Sequence, residues 1–439
     1  AIAGNTHLID FDLLTQMGLL KESDYASVNF GEDPTSVDYE RIFSARRPIL
    51  ETAVKNFLAN QSFQADFTSF EKNNRLWLDD FAEFMAIKEH FGNQALQKWA
   101  DKKAVARDPK TLEKYRTLLA DQIQYFKVTQ YFFFKQWGEL KDYANQRGIK
   151  IIGDMPIYVA ADSVEVWTKP ELFQLDKERN PLFVAGVPAD QFSATGQLWG
   201  NPLYDWEEHK KQGYAWWIHR IEESFKIYDV LRIDHFKGFS DYWQVDGKAE
   251  VAKDGSWQPG PGYDLFKAVK EQLGDLPIIA EDLGNIDDKA RKLLTDCNYP
   301  GMKILQFGFE DVSGESLDSP HYCIPHSIVY TGTHDNDVTN GWYNSLTEQQ
   351  QQYINDYTHR HEDESICQAM IRQLFATVSN TAIATMQDVL DLPASSRMNV
   401  PSTIGGNWQW RMQQSDLTQD KKDFLAKMTT LYQRANQEK

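Results

Sequence analysis

The sequence predicts an α/β fold, and within that class a (β/α)8 TIM barrel with helical insertions. Short apolar, β-branched runs recur from residue 149 onward, and helical patterns separate them. Continuous apolar runs of this length are typical of strands buried on both faces of a parallel sheet. No GxGxxG motif follows any of these runs, as an open dinucleotide-binding sheet would require. Of the two α/β architectures, we therefore favour the barrel over the open doubly wound sheet.

The first third of the chain is predicted to be helical. Residues 36–147 carry apolar side chains at i, i+3, i+4 and i+7, and Gly148 follows as a stop signal. We assign residues 1–148 to one or more helical insertion subdomains. Residues 149–439 are expected to form the remainder of the catalytic barrel, with loop insertions at about 155–225.

Six strands are predicted, and they are residues 149–154, 229–234, 277–282, 302–307, 326–335 and 381–388. A barrel of this class has eight strands, so the first two are expected to be absent from this chain, on its N-terminal side. The residues after 388 suffice for a closing helix and are too few for a C-terminal β-domain.

Composition limits the classes of partner. The net charge of -18 argues against nucleic acid or an anionic membrane surface. Three scattered cysteines without a CxxC spacing indicate a reducing compartment and no zinc site. No apolar run approaches the roughly 20 residues that cross a bilayer. We therefore expect a soluble, cytoplasmic protein that binds neither nucleic acid nor membrane.

Polar residues follow the predicted strands at the ends that a barrel brings to one mouth. They are Asp154, Asp234–His235, Glu281–Asp282, Gln306, His334–Asp335 and Gln387–Asp388. Clustered carboxylates repel one another unless they are paired or used in chemistry. Three interpretations compete: helix caps and salt bridges, a Mg²⁺ site with His235 or His334 as a base, and a glycosidase pair with a third carboxylate.

Arg232 favours the glycosidase interpretation. It lies two residues before Asp234 on the same strand face, where a guanidinium keeps a carboxylate ionised, as a nucleophile requires. Glu281 follows an apolar run, and partial burial there would raise its pKa, as a general acid requires. A guanidinium is also a poor neighbour for Mg²⁺. His235 alternates to the opposite strand face, so a structural role is predicted for it.

Aromatic and amide side chains accumulate near the same strand ends. Eight tryptophans are expected in the loops that follow strands, namely Trp167, Trp199, Trp206, Trp243, Trp257, Trp342, Trp408 and Trp410. Four amides lie among them, namely Gln197, Asn201, Asn336 and Asn407. A single tryptophan most often packs in a core. The whole set favours sugar rings stacked on indoles, with hydroxyls bound by amides.

The sequence resembles the 4-α-glucanotransferases of glycoside hydrolase family 77, also called amylomaltases or disproportionating enzymes. The motifs that carry this resemblance are LRIDHFKGF, PIIAEDLG, GMKILQF, YTGTHDNDVTNGW, QDVLDL and RMNVPSTIGGNWQWR. GDMPIYVAADSVEVW and FSATGQLWGNPLYDW resemble the family too, and the similarity runs from residue 4 to about 411. It implies a barrel related to that of α-amylases, without their C-terminal β-domain, and a retaining mechanism.

The resemblance also implies residue roles. By motif position, Asp234 is similar to the nucleophile, Glu281 to the acid/base, and Asp335 to the carboxylate that grips two ring hydroxyls. The substrate-binding positions implied are Arg232, His334, Asp154, Asn336, Gln197, Trp199, Gly200, Asn201, Phe192, Trp257 and Asn407. One departure is the segment 188–192, which reads PADQF where the family has a second aromatic residue, as PPDYF.

The implied activity is transfer of α-1,4-glucan segments from a donor to an acceptor maltooligosaccharide through a covalent glycosyl-enzyme, without metal or cofactor. Phe192, Trp199 and Trp257 are expected to form an acceptor wall that excludes water. Three alternatives stay open at this point. They are an α-amylase-type hydrolase, a non-catalytic glucan-binding barrel, and a Mg²⁺-dependent lyase or racemase.

Overall fold

A computed structural model describes residues 1–189, 195–284 and 286–435. The chain divides into two compact units. Unit 1 comprises Ala1–Asn29, Ile42–Glu281 and Asn285–Tyr299, and unit 2 comprises Phe30–Arg41, Asp282–Gly284 and Pro300–Lys439. Each unit contains a parallel sheet and helices, so the fold is α/β as the sequence predicts.

The regular elements of residues 1–148 are helical, as predicted. They are α1 (Phe11–Gln16), α2 (Tyr39–Ala59), α3 (Gln64–His90), α4 (Lys102–Val105), α5 (Pro109–Leu118) and α6 (Ala120–Asn145). Asp108 caps α5 by accepting a hydrogen bond from the Thr111 backbone N–H, and Pro109 occupies the first helical position. Phe57 of α2 packs edge-on against Phe67 of α3 and Phe132 of α6, which ties the three long helices together.

Ten strands are found in the described part of the chain. They are β1 (Ile152–Met155), β2 (Phe183–Val187), β3 (Gln197–Pro202), β4 (Val230–Ile233), β5 (Asp241–Asp246), β6 (Ser256–Pro259), β7 (Ile278–Ala280), β8 (Gly301–Ile304), β9 (Ser327–Tyr330) and β10 (Thr381–Ile383). The remaining helices are α7 (Val164–Thr168), α8 (Trp206–Lys211), α9 (Ala215–Ile227), α10 (Tyr263–Leu273), α11 (Asp288–Cys297), α12 (Leu305–Glu310), α13 (Thr339–Ser345), α14 (Glu348–Thr358), α15 (Ile366–Ala376), α16 (Met386–Val389) and α17 (Gln419–Leu431).

The parallel sheet of unit 1 has the order β1-β4-β7. Its register places Asp154 of β1 beside Arg232 of β4. Leu231 and Ile233 are fully buried on β4 and fix this register, because a slip by one residue would turn them to the other face. The sheet therefore delivers the residues that follow β4 and β7 to the same edge.

The parallel sheet of unit 2 has the order β10-β9-β8. All four residues of β9 are buried. The core beside this sheet includes Val329, Leu305, Trp342 and Met370, contributed by β9 and three helices. Burial of these apolar side chains is the main stabilising contribution to the unit.

All six predicted strands are present in the two parallel sheets, but five of them end earlier than predicted, most of all 326–335, which ends at Tyr330, and 381–388, which ends at Ile383. The segment 302–307 turns into α12 after Ile304, and 381–388 turns into α16. The turn into α16 has a local cause, because the Thr385 side chain caps that helix by accepting from the Asp388 N–H.

A four-stranded antiparallel sheet in unit 1 was not predicted. Its order is β3-β2-β5-β6, and it occupies part of the region expected to be loop insertions. The strands QLWGNP and SWQP carry glycine, proline and amides, which is the composition of loops. Tertiary pairing overrides that local preference. In the described residues, no helix combines the length and apolarity needed to cross a membrane.

Candidate active site

In unit 1, an arginine binds two carboxylates at the ends of β1 and β4. The Arg232 Nη1 donates to both carboxylate oxygens of Asp154, at 2.6 and 2.7 Å, and to Oδ1 of Asp234 at 3.0 Å. The Arg232 side chain is only 9% exposed, whereas those of Asp154 and Asp234 are 40% and 41% exposed. The cation thus lies beneath two carboxylates that stay open to a ligand.

The charge of Arg232 is stabilised by its surroundings. Burial by itself lowers the pKa of Arg232, but the carboxylates of Asp154, Asp234 and Glu281 more than reverse this and raise that pKa above its ordinary value. Because a guanidinium stays charged in proteins, Asp234 lies beside a permanent positive charge. Arg232 therefore supplies a positive charge at the ends of β1 and β4.

Glu281 follows β7, the strand next to β4. Its Oε2 accepts a hydrogen bond from the backbone N–H of His235 at 2.8 Å, and its backbone oxygen accepts from the Phe236 N–H at 3.1 Å. The Glu281 carboxylate is thus joined to the residue that directly follows Asp234. Asp234 and Glu281 are thus two half-buried carboxylates on neighbouring strand ends, positions that a glycosidic acid/nucleophile pair can use.

The antiparallel sheet places several predicted substrate residues in unit 1. Trp199 is 36% exposed, packs edge-on against His235 with ring centroids 4.9 Å apart, and donates from Nε1 to Gln197 Oε1 at 3.3 Å. Asn201 donates to the Val159 carbonyl oxygen at 3.0 Å, which commits part of its amide to the fold. Gly200 has a φ of 77°, a conformation that favours glycine.

Trp257 lies on β6 of the same sheet. It is 43% exposed, and the ammonium of Lys237 sits 4.6 Å from its ring centroid. Its other neighbour is Trp243, at a centroid distance of 5.2 Å. This exposed indole remains available for stacking. Phe192, the third residue of the predicted acceptor wall, lies outside the described residues.

In unit 2, the carboxylate of Asp335 is held by a loop. Its Oδ1 accepts from the Asn399 amide at 2.6 Å, and its backbone oxygen accepts from Arg397 Nη2 at 2.7 Å. His334 Nε2 lies 3.4 Å from the other carboxylate oxygen. The backbone N–H of Asn399 returns to the His334 carbonyl at 3.1 Å, which closes the arrangement.

A cavity of about 200 Å³ opens beside these residues in unit 2. Its lining consists of Thr333, His334, Asn336, Asp337, Val338, Thr385, Gln387, Met398 and Trp408. Trp408 is 47% exposed, and its ring lies 5.1 Å from that of His334. An imidazole and an indole on one cavity wall suit a sugar, which offers both hydroxyls and an apolar ring face.

Two predicted amides of unit 2 are occupied by local hydrogen bonds. Asn336 Oδ1 accepts from both the backbone N–H and the hydroxyl of Thr333, and Asn407 Oδ1 accepts from the Val400 N–H. The amide group of Asn407 also donates to Thr403 Oγ1 at 3.0 Å. Both side chains shape turns, and their contact with substrate stays a prediction.

The prediction that eight tryptophans lie in loops after strands is wrong for several of them. Trp167 belongs to α7, and its indole N–H donates to the Ala104 carbonyl from a fully buried position. Trp342 is buried in α13, and Trp206 opens α8. Trp167 and Trp342 are buried because apolar burial outweighs the local signal of polar neighbours, whereas Trp206 is half-buried. Three further tryptophans lie on strands of the antiparallel sheet, namely Trp199, Trp243 and Trp257. Trp199, Trp257 and Trp408 keep exposed faces.

Three polar residues predicted at strand ends instead lie buried in helices. Gln306 lies in α12 and donates to the Asp337 carbonyl at 2.8 Å. Gln387 and Asp388 lie in α16, and Asp388 accepts from the Thr331 hydroxyl at 2.6 Å and the Thr339 N–H at 2.8 Å. Both oxygens of Asp388 are therefore engaged in supporting the loop after β9.

Sequence reasoning missed Asn399 and Arg397 as parts of the site. They belong to a segment without strand or helix periodicity, and although it begins the family motif RMNVPSTIGGNWQWR, that motif assigned no role to these two residues. Among the described residues, one trio has metal-ligand spacing, namely His219, Glu222 and Glu223 on α9. Glu223 there accepts from the Lys226 ammonium at 2.5 Å, so a cation from the chain already neutralises it.

Comparison with known proteins decides the family. The glycoside hydrolase family 77 model, described as 4-alpha-glucanotransferase, matches residues 1–418. This chain belongs to the 4-α-glucanotransferase family. A 4-alpha-glucanotransferase of Streptococcus pneumoniae is 52% identical over 438 residues, covering 100% of this chain and 86% of that protein.

Other relatives agree with this 4-α-glucanotransferase assignment. The 4-alpha-glucanotransferase of Clostridium butyricum is 41% identical, covering 99% of this chain and 89% of its own length. The solved amylomaltase of Streptococcus agalactiae, in complex with acarbose, superposes with a TM-score of 0.98 at 57% identity, covering 99% of this chain and 88% of that one. The activity of this chain is therefore that of a 4-α-glucanotransferase, and the resemblance stated from its motifs is confirmed.

Proposed function

We propose that this glucanotransferase works by a retaining double displacement, with Asp234 as nucleophile and Glu281 as acid/base. The observation that carries the proposal is the 2.8 Å hydrogen bond from the N–H of His235, the residue after Asp234, to Oε2 of Glu281. It ties the Glu281 carboxylate to the backbone of the residue that directly follows Asp234, at one sheet edge. Retaining enzymes need two such groups about 5–5.5 Å apart.

In the first step, a carboxylate oxygen of Asp234 forms a bond to the anomeric carbon of an α-1,4-glucan. The glycosidic C1–O bond breaks, and the carboxylic acid of Glu281 gives its proton to the leaving oxygen. In the second step, the Glu281 carboxylate takes the proton of an acceptor 4-hydroxyl, whose oxygen forms the new bond to C1 and releases Asp234. One α-1,4 linkage is broken and one is made, and both carboxyl groups return to their starting states.

Arg232 is proposed to support the first step through its contact with Asp234 at 3.0 Å, which places a positive charge beside the attacking carboxylate. Asp335 is proposed to bind two hydroxyls of the sugar ring at the reacting centre, and His334 to bind the same ring beside it. The Asn399 hydrogen bond supports this role, because it leaves the Asp335 carboxylate fixed in one orientation while 42% of the side chain stays exposed. Asp154 is proposed to contact the flanking sugar.

Transfer rather than hydrolysis requires that an acceptor glucan reach the glycosyl-enzyme before water does. Trp199 and Trp257, both exposed on the antiparallel sheet, are proposed to form the acceptor surface together with Phe192. Donor and acceptor are α-1,4-glucans and maltooligosaccharides. The relative of known structure binds acarbose, which supports an α-glucan ligand here.

Two further features of the protein are proposed with this function. The fold is proposed to be that of a (β/α)8 barrel, with residues 1–148 as its helical insertion. The location is proposed to be the cytoplasm. Its support is that Cys297, Cys323 and Cys367 are free thiols, which suits a reducing compartment.

Incubation with maltotriose tests the function. Glucose together with oligomers longer than maltotriose is expected; glucose and maltose alone would show a hydrolase instead. The variants Asp234→Asn and Glu281→Gln are each expected to lower the transfer rate on the order of 10⁴-fold with the fold intact. Asp229→Asn serves as the matched control, because Asp229 directly precedes β4, at the strand end opposite to Asp234, and its carboxylate accepts from the Ile151 N–H. A folded, active Asp234→Asn protein would refute the nucleophile.

A further inference from the structure

His235, directly after the proposed nucleophile, has an unusual backbone conformation. Its φ and ψ are both 50°, in the left-handed region. Residues other than glycine are uncommon there, because Cβ approaches the following carbonyl, and asparagine, aspartate and histidine are the most frequent exceptions. Such a conformation persists only where the surrounding structure holds it, and it is concentrated at functional sites.

This turn directs two consecutive N–H groups to one residue. The His235 N–H donates to Glu281 Oε2 at 2.8 Å, and the Phe236 N–H donates to the Glu281 backbone oxygen at 3.1 Å. Successive N–H groups that face the same side form a binding site for negatively charged oxygen. The left-handed turn therefore fixes both the backbone and the carboxylate of Glu281.

Packing of the imidazole accounts for the turn. The ring meets Trp199 of β3 edge-on at a centroid distance of 4.9 Å. Nearby in the chain, a Cβ added to Gly238 would lie 3.0 Å from His235 Cδ2 and 2.8 Å from Ile157 Cδ1, so the absence of a side chain at residue 238 gives the ring more space. Burial lowers the pKa of His235 to about 4, against the opposing effect of Asp234, so the ring is neutral near pH 7.

We propose that His235 is a positioning residue for Glu281: its left-handed backbone aims an N–H at Oε2, and the contact with Trp199 holds that backbone in place. The imidazole itself takes no part in proton transfer. The antiparallel sheet, through Trp199, thereby supports the acid/base as well as offering a surface to the acceptor. This inference rests on the acid/base role of Glu281 proposed above.

Three variants separate the backbone from the ring. His235→Gly and His235→Ala both remove the imidazole, and they differ only in how well they tolerate the left-handed region. With maltotriose, kcat/KM of His235→Ala is expected to be about tenfold below that of His235→Gly. His235→Asn, which tolerates the same region, is expected to match the glycine variant. Equal rates for Gly and Ala would overturn the proposal, and so would loss in all three alike. Circular dichroism checks that each variant is folded.

A second readout distinguishes positioning of the acid from general damage. Fluoride leaves an anomeric carbon with little help from an acid, so first-turnover release of fluoride from α-maltosyl fluoride is expected to be similar in the Gly and Ala variants. The basic limb of kcat/KM for maltotriose is expected at higher pH in His235→Ala, because a carboxylate that loses an N–H donor keeps its proton longer. The neighbouring charged groups are unchanged in these variants: Arg232 interacts electrostatically with Glu281, and Asp234 and Lys237 interact with His235. An equal loss with the fluoride donor would overturn the positioning role.

Glu281→Gln in the same assays separates this inference from the proposed function. Full activity of Glu281→Gln would overturn the acid/base assignment and the positioning role together. An inactive Glu281→Gln beside indistinguishable Gly and Ala variants would overturn the positioning role alone.

Discussion

Asp234 in unit 1 and Asp335 in unit 2 are equally exposed, at 41% and 42% of their side chains, but they are held in different ways. Asp234 is bound by a charged guanidinium from its own strand, two residues earlier. Asp335 is bound by a neutral amide from a loop 64 residues later. Two carboxylates of similar exposure can therefore be held either by a cation from the same strand or by a neutral hydrogen-bond donor from a distant loop.

Removal of the Arg232 guanidinium is expected to have the largest effect on activity. Arg232→Met leaves Asp154 and Asp234 close together without their common partner, so kcat/KM for maltotriose is expected to fall about 10³-fold. Arg232→Lys is expected to retain part of the activity, since it keeps the charge and loses the planar fork.

Arg372→Met provides the matched control in unit 2, where Arg372 pairs with Glu364 at 2.7 Å. It is expected to change stability and to leave kcat/KM nearly unchanged. Near wild-type activity in Arg232→Met would show that Asp234 needs no adjacent cation, and the contrast between the two carboxylates would then disappear.

Removal of the Asn399 amide, which donates to Asp335, is expected to have an intermediate effect on activity. Asn399→Leu keeps the size of the side chain and deletes the hydrogen bond to Asp335 Oδ1, so kcat/KM is expected to fall about 30-fold, in line with the loss of one hydrogen bond to a charged group.

Asn355→Leu is the control for this change, since the Asn355 amide donates to the Tyr343 hydroxyl at 2.9 Å. A kcat/KM of Asn399→Leu equal to that of wild type would mean that the loop does not orient Asp335.

The smallest effect is expected from a buried imidazole of unit 1 that contacts neither carboxylate. His209 is 1% exposed among Tyr204, Trp206 and Trp216, and burial lowers its pKa from 6.5 to about 4. Because the unfolded chain takes up the proton first, stability is lost as the pH falls from about 6.5 towards 4. Between pH 7 and 5.5 this amounts to about 1 kcal/mol of unfolding free energy.

His209→Phe is expected to remove this acid sensitivity without lowering kcat. Urea unfolding of the variant and wild type at pH 7 and at pH 5.5 measures it. If the unfolding free energy changes between pH 7 and pH 5.5 by the same amount in His209→Phe and in wild type, the acid sensitivity does not come from the burial of His209.

The parallel strands and the charged residues at their ends were largely predictable from the sequence. Uniform apolar runs identified all six parallel strands, because burial on both faces leaves a pattern that needs no knowledge of neighbours. The two-residue spacing of Arg232 and Asp234 placed both side chains on one face of β4, and their contact confirms that reasoning. The family itself followed from motifs at these strand ends, and the comparisons confirm it.

What the sequence alone could not determine depends on partners far away in the chain. The antiparallel sheet forms from strands with loop-like composition, which only their mutual pairing stabilises. The hydrogen bond from Asn399 to Asp335 and the packing of Trp199 on His235 join residues 64 and 36 positions apart, and no periodicity links them. Local chemistry thus selected the charged residues, and tertiary structure decided how each of them is held.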